Sequence, residues 1–433
     1  MTKINIPLYH RLYEDVKEKI LRNEYKKNSR LESVRSLAKR LDISTTTVEK
    51  AYNQLLVEGY IKSIPRSGYV VLDVHNIEKK KYHSYIDPIV FKYAENNRLT
   101  TDLFDMKAYK ATVNKVFNYE SDKLYTPLDP RGEETLREEI RKYILKERDV
   151  KCDVNQIIVG PGIQSLLNIL LSITSKKTVT YLEPEFTKAM NIFRSFDYTL
   201  KPRRTTTEIA RLKADFCYIS PSNIYPTGEV LKAQERNKLI KWAHENDSYI
   251  IEDDYNFFIR YNSYSIPSIH SYDHGENVIY MGSFSKTIIP SIRISFMVLP
   301  IALYDIYKEQ YTDFSQGVSK LEQLSLATFM NERLYQRHVK KLYNLYKEKN
   351  AIIIESLEKY KKRNKFKVRG TDSNLHIVID FKSESSLTTF TRNCDRYFLE
   401  YELIDRTNSV IFPYSGIENN DIPRMIKNLF YNM

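Results

Sequence analysis

The sequence predicts an α/β protein with a small, mainly helical domain ahead of it. From about residue 98, helical stretches alternate with short β-rich runs, the order that builds a mostly parallel sheet covered by helices. Before residue 73 the pattern differs: three helical segments are followed by two short β runs around a Pro-Arg-Ser-Gly turn. At 433 residues the chain is too long for one ordinary domain, and 42% hydrophobic content fills a sizeable core. The expected division is 1–73 for the first domain, 74–97 for a linker, and 98–433 for the second, which ends in a smaller α+β part.

In the first domain, Leu8, Leu12, Val16, Ile20 and Leu21 recur at helical spacing over 8–22. Residues 33–41 make a short helix with Ser33 as N-cap. A further helix starts at Ser44 and stops at Gly59. Two helices joined by so short a turn predict a helix-turn-helix. The runs on either side of Pro65-Arg66-Ser67-Gly68 predict a hairpin with a basic tip. Together these form a winged helix, a DNA-binding outline. The residues offered to double-stranded DNA are Arg35, Ser44, Thr45, Thr46, Thr47, Lys50 and Arg66. Hydroxyls and N–H groups at the start of the second helix suit phosphates, and Arg35 suits guanine unless it is taken up in an ion pair. Residues 1–73 carry 14 Lys+Arg against 9 Asp+Glu, within a chain of net charge +12. A basic balance permits nucleic-acid binding without proving it. The 73–97 stretch, with Lys79-Lys80-Lys81, has no periodicity and reads as a solvated tether.

In the second domain, helices are expected over 133–147 and 163–174. Strands are expected at Ile157–Val159, Val179–Tyr181, Phe216–Ile219, Tyr249–Ile251, Val278–Tyr280 and Ile294–Val298. Ligands of such sheets gather at strand ends, and the residues with chemistry lie there. Lys286 stands near Ser283, Ser285 and Arg293. An amine beside hydroxyls and a guanidinium suits an aldehyde cofactor that carries a phosphate, pyridoxal 5'-phosphate (PLP). Val159-Gly160-Pro161-Gly162-Ile163-Gln164 opens a helix whose free N–H groups suit phosphate, or is plain turn chemistry. Phe186 can stack on a ring or fill core. Asn223 or Tyr225, in a strand-end loop, can reach a phenolic oxygen. Glu252-Asp253-Asp254 close an apolar strand, where a carboxylate can hold a pyridine nitrogen protonated; carboxylates alone also suit magnesium. Tyr125–Gly132 precedes a helix that carries Leu136-Arg137.

Three widely spaced cysteines (Cys152, Cys217, Cys394) fit a reducing compartment with neither a disulfide framework nor a metal pattern. The start of the chain has no apolar signal core, and no stretch reaches 18 apolar residues. A cytoplasmic protein with no membrane segment is expected.

The first domain resembles the GntR family of bacterial regulators in Leu31, Ser33, Arg35, Leu37-Ala38, Ser44, Thr47-Val48, Ala51-Tyr52, Leu55, Glu58-Gly59 and Ser67-Gly68. The second resembles the fold-type I aminotransferases. The whole chain is similar to the MocR subfamily of GntR regulators. The specific stretches are Glu252–Tyr255, Gly282–Lys286 with Arg293, Tyr225–Gly228, Tyr125–Gly132 and Leu321-Glu322-Gln323. The resemblance implies a PLP aldimine at Lys286, with Asp253 on the pyridine nitrogen and Tyr255 on the phenolic oxygen. It implies that Gly162, Ile163, Gln164, Ser283, Ser285 and Arg293 hold the phosphate. Phe186 takes the stacking place usually held by tyrosine, and Tyr125 reaches across from a partner subunit of a homodimer. Departures are Glu32 for a usual proline, Thr45 for a usual DNA-contacting arginine, and Asn223-Ile224 for a frequent His-Gln. The arginine that usually clamps a substrate α-carboxylate has no counterpart in Val410–Tyr414, and Arg406 is the nearest candidate. The implied function is a PLP-binding transcriptional regulator that senses PLP or an amino compound. The alternatives are a working aminotransferase with a DNA-binding appendage, and a regulator that has lost PLP.

Overall fold

A computed structural model describes residues 7–65, 68–73, 104–183, 187–261, 266–289, 291–310, 314–373 and 375–430. The chain divides into two compact units, Met1–Phe91 and Lys92–Met433. The expected linker, 74–97, lies outside the described residues.

The first unit has helices Leu8–Leu21, Val34–Leu41 and Thr45–Val57, then strands β1 (Ile61–Ile64) and β2 (Gly68–Val71) paired antiparallel. Ser33 and Ser44 cap the second and third helices, accepting from Ser36 N (3.1 Å) and Thr47 N (3.2 Å). Asp42, at φ +52°, makes the sharp turn between them. Every fourth residue or so of the first helix (Leu12, Val16, Ile20) meets Leu37, Val48, Ala51, Tyr52, Leu55, Ile61 and Val71 in one core. The Tyr13 hydroxyl donates to Glu58 at 2.6 Å, tying the first helix to the end of the third.

The second unit is built on seven strands: β3 (Ile157–Gly160), β4 (Thr178–Leu182), β5 (Thr199–Arg203), β6 (Phe216–Ile219), β7 (Tyr249–Asp253), β8 (Val278–Ser283) and β9 (Ser295–Val298). They lie in the order β3-β9-β8-β7-β6-β4-β5. Alternate residues serve opposite faces. Ile157, Val159, Tyr280, Phe296 and Val298 pack under the helices Glu134–Arg148 and Lys320–Asn331; Ile158, Ile279, Met281 and Met297 pack under Ile163–Ser172 and Thr187–Ser195. Both faces are covered, so the strands read as continuous apolar runs rather than alternating ones.

One strand departs from the expected parallel order. β9 runs antiparallel to both β3 and β8. Only residues 284–294 separate it from β8, too few for the crossover that a parallel neighbour needs. The α+β part is an antiparallel sheet of β10 (Phe366–Arg369), β11 (His376–Phe381), β12 (Glu402–Ile404) and β13 (Ser409–Pro413), ordered β10-β11-β13-β12. It packs on the helices Glu384–Arg396 and Ile422–Leu429. No described helix is long and apolar enough to cross a membrane.

Gly282 faces Phe296 across β8 and β9, and a Cβ there would sit 2.4 Å from the ring. Gly282→Ala is expected to destabilise the second unit by about 1–3 kcal/mol through overpacking. Denaturant unfolding followed at Trp242, the only tryptophan of the chain and a buried one, reports that unit directly.

Candidate functional site

Strand register gathers the candidate residues at one end of the seven-stranded sheet. Gly160 of β3 and Ser283 of β8 both pair with Ser295 of β9, and Asp253 of β7 pairs with Met281. The carboxyl ends of β3, β6, β7 and β8 and the start of β9 therefore share an edge. Gly162, Asn223, Asp253, Ser285, Lys286 and Arg293 all fall within four residues of it.

Gly162, Arg293 and the two serines form a cradle. Gly162 is the N-cap of Ile163–Ser172 at φ +114°, so the N–H groups of Ile163 and Gln164 begin the helix with no side-chain cap. A Cβ on Gly162 would meet the Arg293 guanidinium at 2.7 Å, so only glycine fits here. Ser283 accepts from Ser295 Oγ at 2.9 Å and from Ser285 N at 3.3 Å, while the buried Ser285 Oγ has no partner. A helix N-terminus, a free hydroxyl and an arginine converge in this way on an anion site.

Beside the cradle lie two buried polar groups with unused capacity. Asp253 is 4% exposed; one oxygen accepts from the Tyr218 hydroxyl and Oδ1 has no partner. Asn223 is 3% exposed, and neither its Oδ1 nor its Nδ2 is bonded. Burial, opposed by the Tyr218 bond and reinforced by Asp254, pushes the Asp253 carboxyl up to about 6. The three neighbouring acids diverge. Glu252 accepts from the N–H groups of Ile269 and His270, both at 2.9 Å, and Asp254 pairs with Arg148 at 2.6 Å. Among the described residues no group of three or more His, Cys, Asp or Glu is arranged to hold a metal ion.

Lys286 follows β8 on a turn anchored by buried Phe284, Thr287 and Ile288. Its side chain opens to solvent, yet the surrounding protein desolvates the ammonium and lowers its pKa. Glu400 opposes this and Lys188 adds to it. His376 of β11 bonds Pro226 O at 2.7 Å and is held below its ordinary pKa by burial, with Lys286 contributing. The Tyr225 hydroxyl donates to Glu402 at 2.5 Å. Tyr255 is half-buried just past β7, Phe186 lies outside the described residues, and Tyr125 is 90% exposed. The segment leading to Gly132 is docked by Gln323, whose Oε1 accepts from Glu133 N at 2.7 Å. Arg406 is exposed in the turn between β12 and β13. It stands beyond Ser409, whereas His376 pairs with Pro413 at the other end of β13, roughly 13 Å of strand away. Within β13, Ile411 is buried and pairs with Glu402.

In the first unit, Arg35 is exposed in the first turn of Val34–Leu41, with no ion-pair partner among the described residues. Arg40 takes the ion pair instead, forking onto Glu32 at 2.7 and 2.8 Å. Thr45, Thr46 and Lys50 are exposed on the third helix. Ser44 and Thr47 bond each other at 2.7 Å as part of its cap. Arg66 lies outside the described residues.

Residues 8–71 match the bacterial regulatory proteins of the gntR family, and residues 89–419 match aminotransferase class I and II. The chain belongs to the GntR regulators fused to an aminotransferase class I and II domain. It is 33% identical to YdeL of Bacillus subtilis, an uncharacterized HTH-type transcriptional regulator, over 98% of this chain and 96% of that one. It is 26% identical to MocR of Rhizobium meliloti, a probable rhizopine catabolism regulatory protein, over 81% and 77%. The second unit shares its fold with a kynurenine aminotransferase of Pyrococcus horikoshii (TM-score 0.65, 20% identity, covering 76% of this chain and 87% of that one).

Sequence reasoning missed Tyr218, Ser222, Arg148, His376 and Glu402. Tyr218 carried a signal: a phenol in an otherwise apolar strand needs a partner. Ser222 adjoins Asn223 in the same strand-end loop, whereas Arg148, His376 and Glu402 reach that loop from 74 to 177 residues away and no local pattern announces them.

The Asp253 carboxyl keeps its proton in the fold up to about pH 6, whereas the unfolded chain loses it near 3.8. Its contribution to stability therefore falls as pH rises between those values, by on the order of 3 kcal/mol. Asp253→Asn is expected to match the ligand-free wild type near pH 4 and to exceed its stability near pH 7, as read by unfolding at Trp242.

Proposed function

We propose that this protein is a cytoplasmic, DNA-binding transcriptional regulator whose aminotransferase-like unit binds PLP at Lys286. The observation that carries the reading is the pair of buried, unused groups beside that lysine. Asp253 Oδ1 suits a pyridinium N–H, and the free Asn223 amide suits a phenolic oxygen. The cradle supports it too: Gly162, Ile163 and Gln164 offer backbone N–H groups, Ser285 a free hydroxyl and Arg293 a guanidinium to the phosphate. Ser283 orients Ser285. The lowered pKa of Lys286 favours the neutral amine, the form that attacks an aldehyde. PLP, when bound, supplies an electron-withdrawing ring and an aldehyde carbon that captures amines. Tyr255 stands as a second group for the phenolic oxygen, and Phe186 for the ring face.

An amino compound that competes with Lys286 for the aldehyde would be the effector. The regulator acts as a homodimer in which Tyr125, exposed in one copy, serves the other copy's site. Occupancy of the site changes affinity for double-stranded DNA, read through Arg35, Thr45, Thr46, Lys50 and Arg66, with Ser44 and Thr47 holding the helix start. Sustained transamination requires both substrates to be clamped. The buried run Val410–Tyr414 offers no guanidinium for an α-carboxylate, and Arg406 lies in the exposed turn ahead of Ser409.

Wild-type protein incubated with PLP is expected to gain the visible absorption of lysine-bound cofactor, and Lys286→Ala to lack it; a colourless wild type contradicts the reading. Many turnovers of any amino acid with a keto acid would favour the enzyme instead. Arg35→Ala is expected to weaken operator binding by about 1–3 kcal/mol in a mobility-shift titration; unchanged binding removes Arg35 from the interface.

A further inference from the structure

Three buried or half-buried arginines close on the turn that carries Asn223. Arg236 Nη2 donates to Pro221 O at 3.2 Å, Arg260 Nη1 to Ser222 O at 2.9 Å, and Arg148 Nη2 to the Ser222 hydroxyl at 2.5 Å. They come from separate parts of the chain: the helix Ala233–Glu245, the segment after β7, and the last residue of the helix Glu134–Arg148. The turn is thereby fixed at both its hydroxyl and its carbonyls, although its most buried amide is left unbonded.

Arg148 differs from the other two in what its remaining nitrogens hold. Nε donates to Asp254 Oδ2 at 2.6 Å, in an ion pair whose side chains are 1% and 0% exposed. The Tyr280 hydroxyl donates to the same oxygen at 2.8 Å, and Arg148 Nη1 reaches Ile266 O. One planar group thus holds the residue next to Asp253 and the residue next to Asn223. Desolvation offsets most of the Coulomb gain of such a pair, so stability alone is a weak reason for it. What a guanidinium supplies, and an ammonium does not, is several donors at fixed angles.

We propose that Arg148 is a positioning residue for the cofactor ring. By gripping Ser222 and Asp254 together, it sets the Asn223 amide and the Asp253 carboxylate at a separation that a rigid pyridine ring accepts. The inference rests on reading the Lys286 cleft as a PLP site. It predicts that loosening either grip degrades ring binding in a protein that is still folded.

The test measures the PLP dissociation constant, by visible absorption, for wild type, Ser222→Ala, Arg148→Lys, Asn223→Ala and the Ser222→Ala/Asn223→Ala double variant. Thermal melting of each is recorded without PLP. Ser222→Ala and Arg148→Lys are each expected to weaken PLP by about tenfold. In the Asn223→Ala background, Ser222→Ala should cost less than about twofold more, because its effect runs through the missing amide. Unchanged PLP affinity in folded Ser222→Ala overturns the proposal. So does full additivity with Asn223→Ala, or a lowered apo melting temperature with wild-type affinity. If Arg148→Lys does not fold, Ser222→Ala decides alone. A wild type that fails to bind PLP strikes the underlying reading of the cleft, an outcome separable from all of these.

Discussion

A carboxylate oxygen with no partner, Oδ1 of Asp253, sits at the dry end of a central strand. Leaving such an atom unsatisfied costs about 1–3 kcal/mol, more for a charged group. Other such atoms follow close behind it in the chain, Asp254 Oδ1 and Asn256 Oδ1 among them. Both oxygens of Glu252 accept from backbone N–H groups at the start of the helix Ile269–Asp273, and one oxygen of Asp254 accepts from Arg148 and Tyr280. Asp253, which alternates with them along the chain, keeps Oδ1 without a partner at the edge that also carries the unbonded Asn223 amide and the desolvated Lys286, and Asp254 Oδ1 is unbonded as well. Groups left unbonded in this way cost stability, and a ligand that bonds them recovers it.

Much of this was legible because the signals are local. Both short helices of the first unit begin at serines that cap them, and the apolar spacing of Leu12, Val16 and Ile20 survives unchanged as a core. The apolar runs of the second unit are strands because each is covered on both faces. Lys286, Asp253, Gly162 and Arg293 stand at strand ends, where an α/β sheet exposes ligands to side chains. Less legible was whatever depends on partners far along the chain. β5 reads Thr-Leu-Lys-Pro-Arg, too polar for a buried strand, and is an edge strand that tolerates proline. The direction of β9 follows from the length of its connection, not from its composition. Arg148 looks like any helix-ending cation, and only its contacts with Ser222 and Asp254, 74 and 106 residues on, give it a role. Tyr225, a candidate for the cofactor's oxygen, donates to Glu402 of the edge strand β12, a partner 177 residues on.

Two departures from the family pattern acquire physical content. Glu32 replaces a usual proline and holds Arg40 with both carboxylate-facing nitrogens, while its carbonyl accepts from the Tyr52 hydroxyl at 3.0 Å. That pairing engages Arg40 and leaves Arg35 exposed for another partner. In the second unit, Ile411 and Phe412 fill the strand on which a carboxylate clamp was sought, and Ile411 lies across from an acid rather than a base. The run Val410–Tyr414 therefore supplies no guanidinium to that strand.

The central claim is that one chain links a PLP cleft to a DNA-reading helix. Linkage requires reciprocity: if PLP alters DNA affinity, DNA alters PLP affinity by the same factor. The direct measurement is the PLP dissociation constant with and without a saturating duplex, the duplex being an operator selected from a random library on the wild-type protein. The account predicts a change on the order of tenfold, matched by the change in DNA affinity that PLP produces. A PLP affinity that is the same with and without bound operator would contradict it.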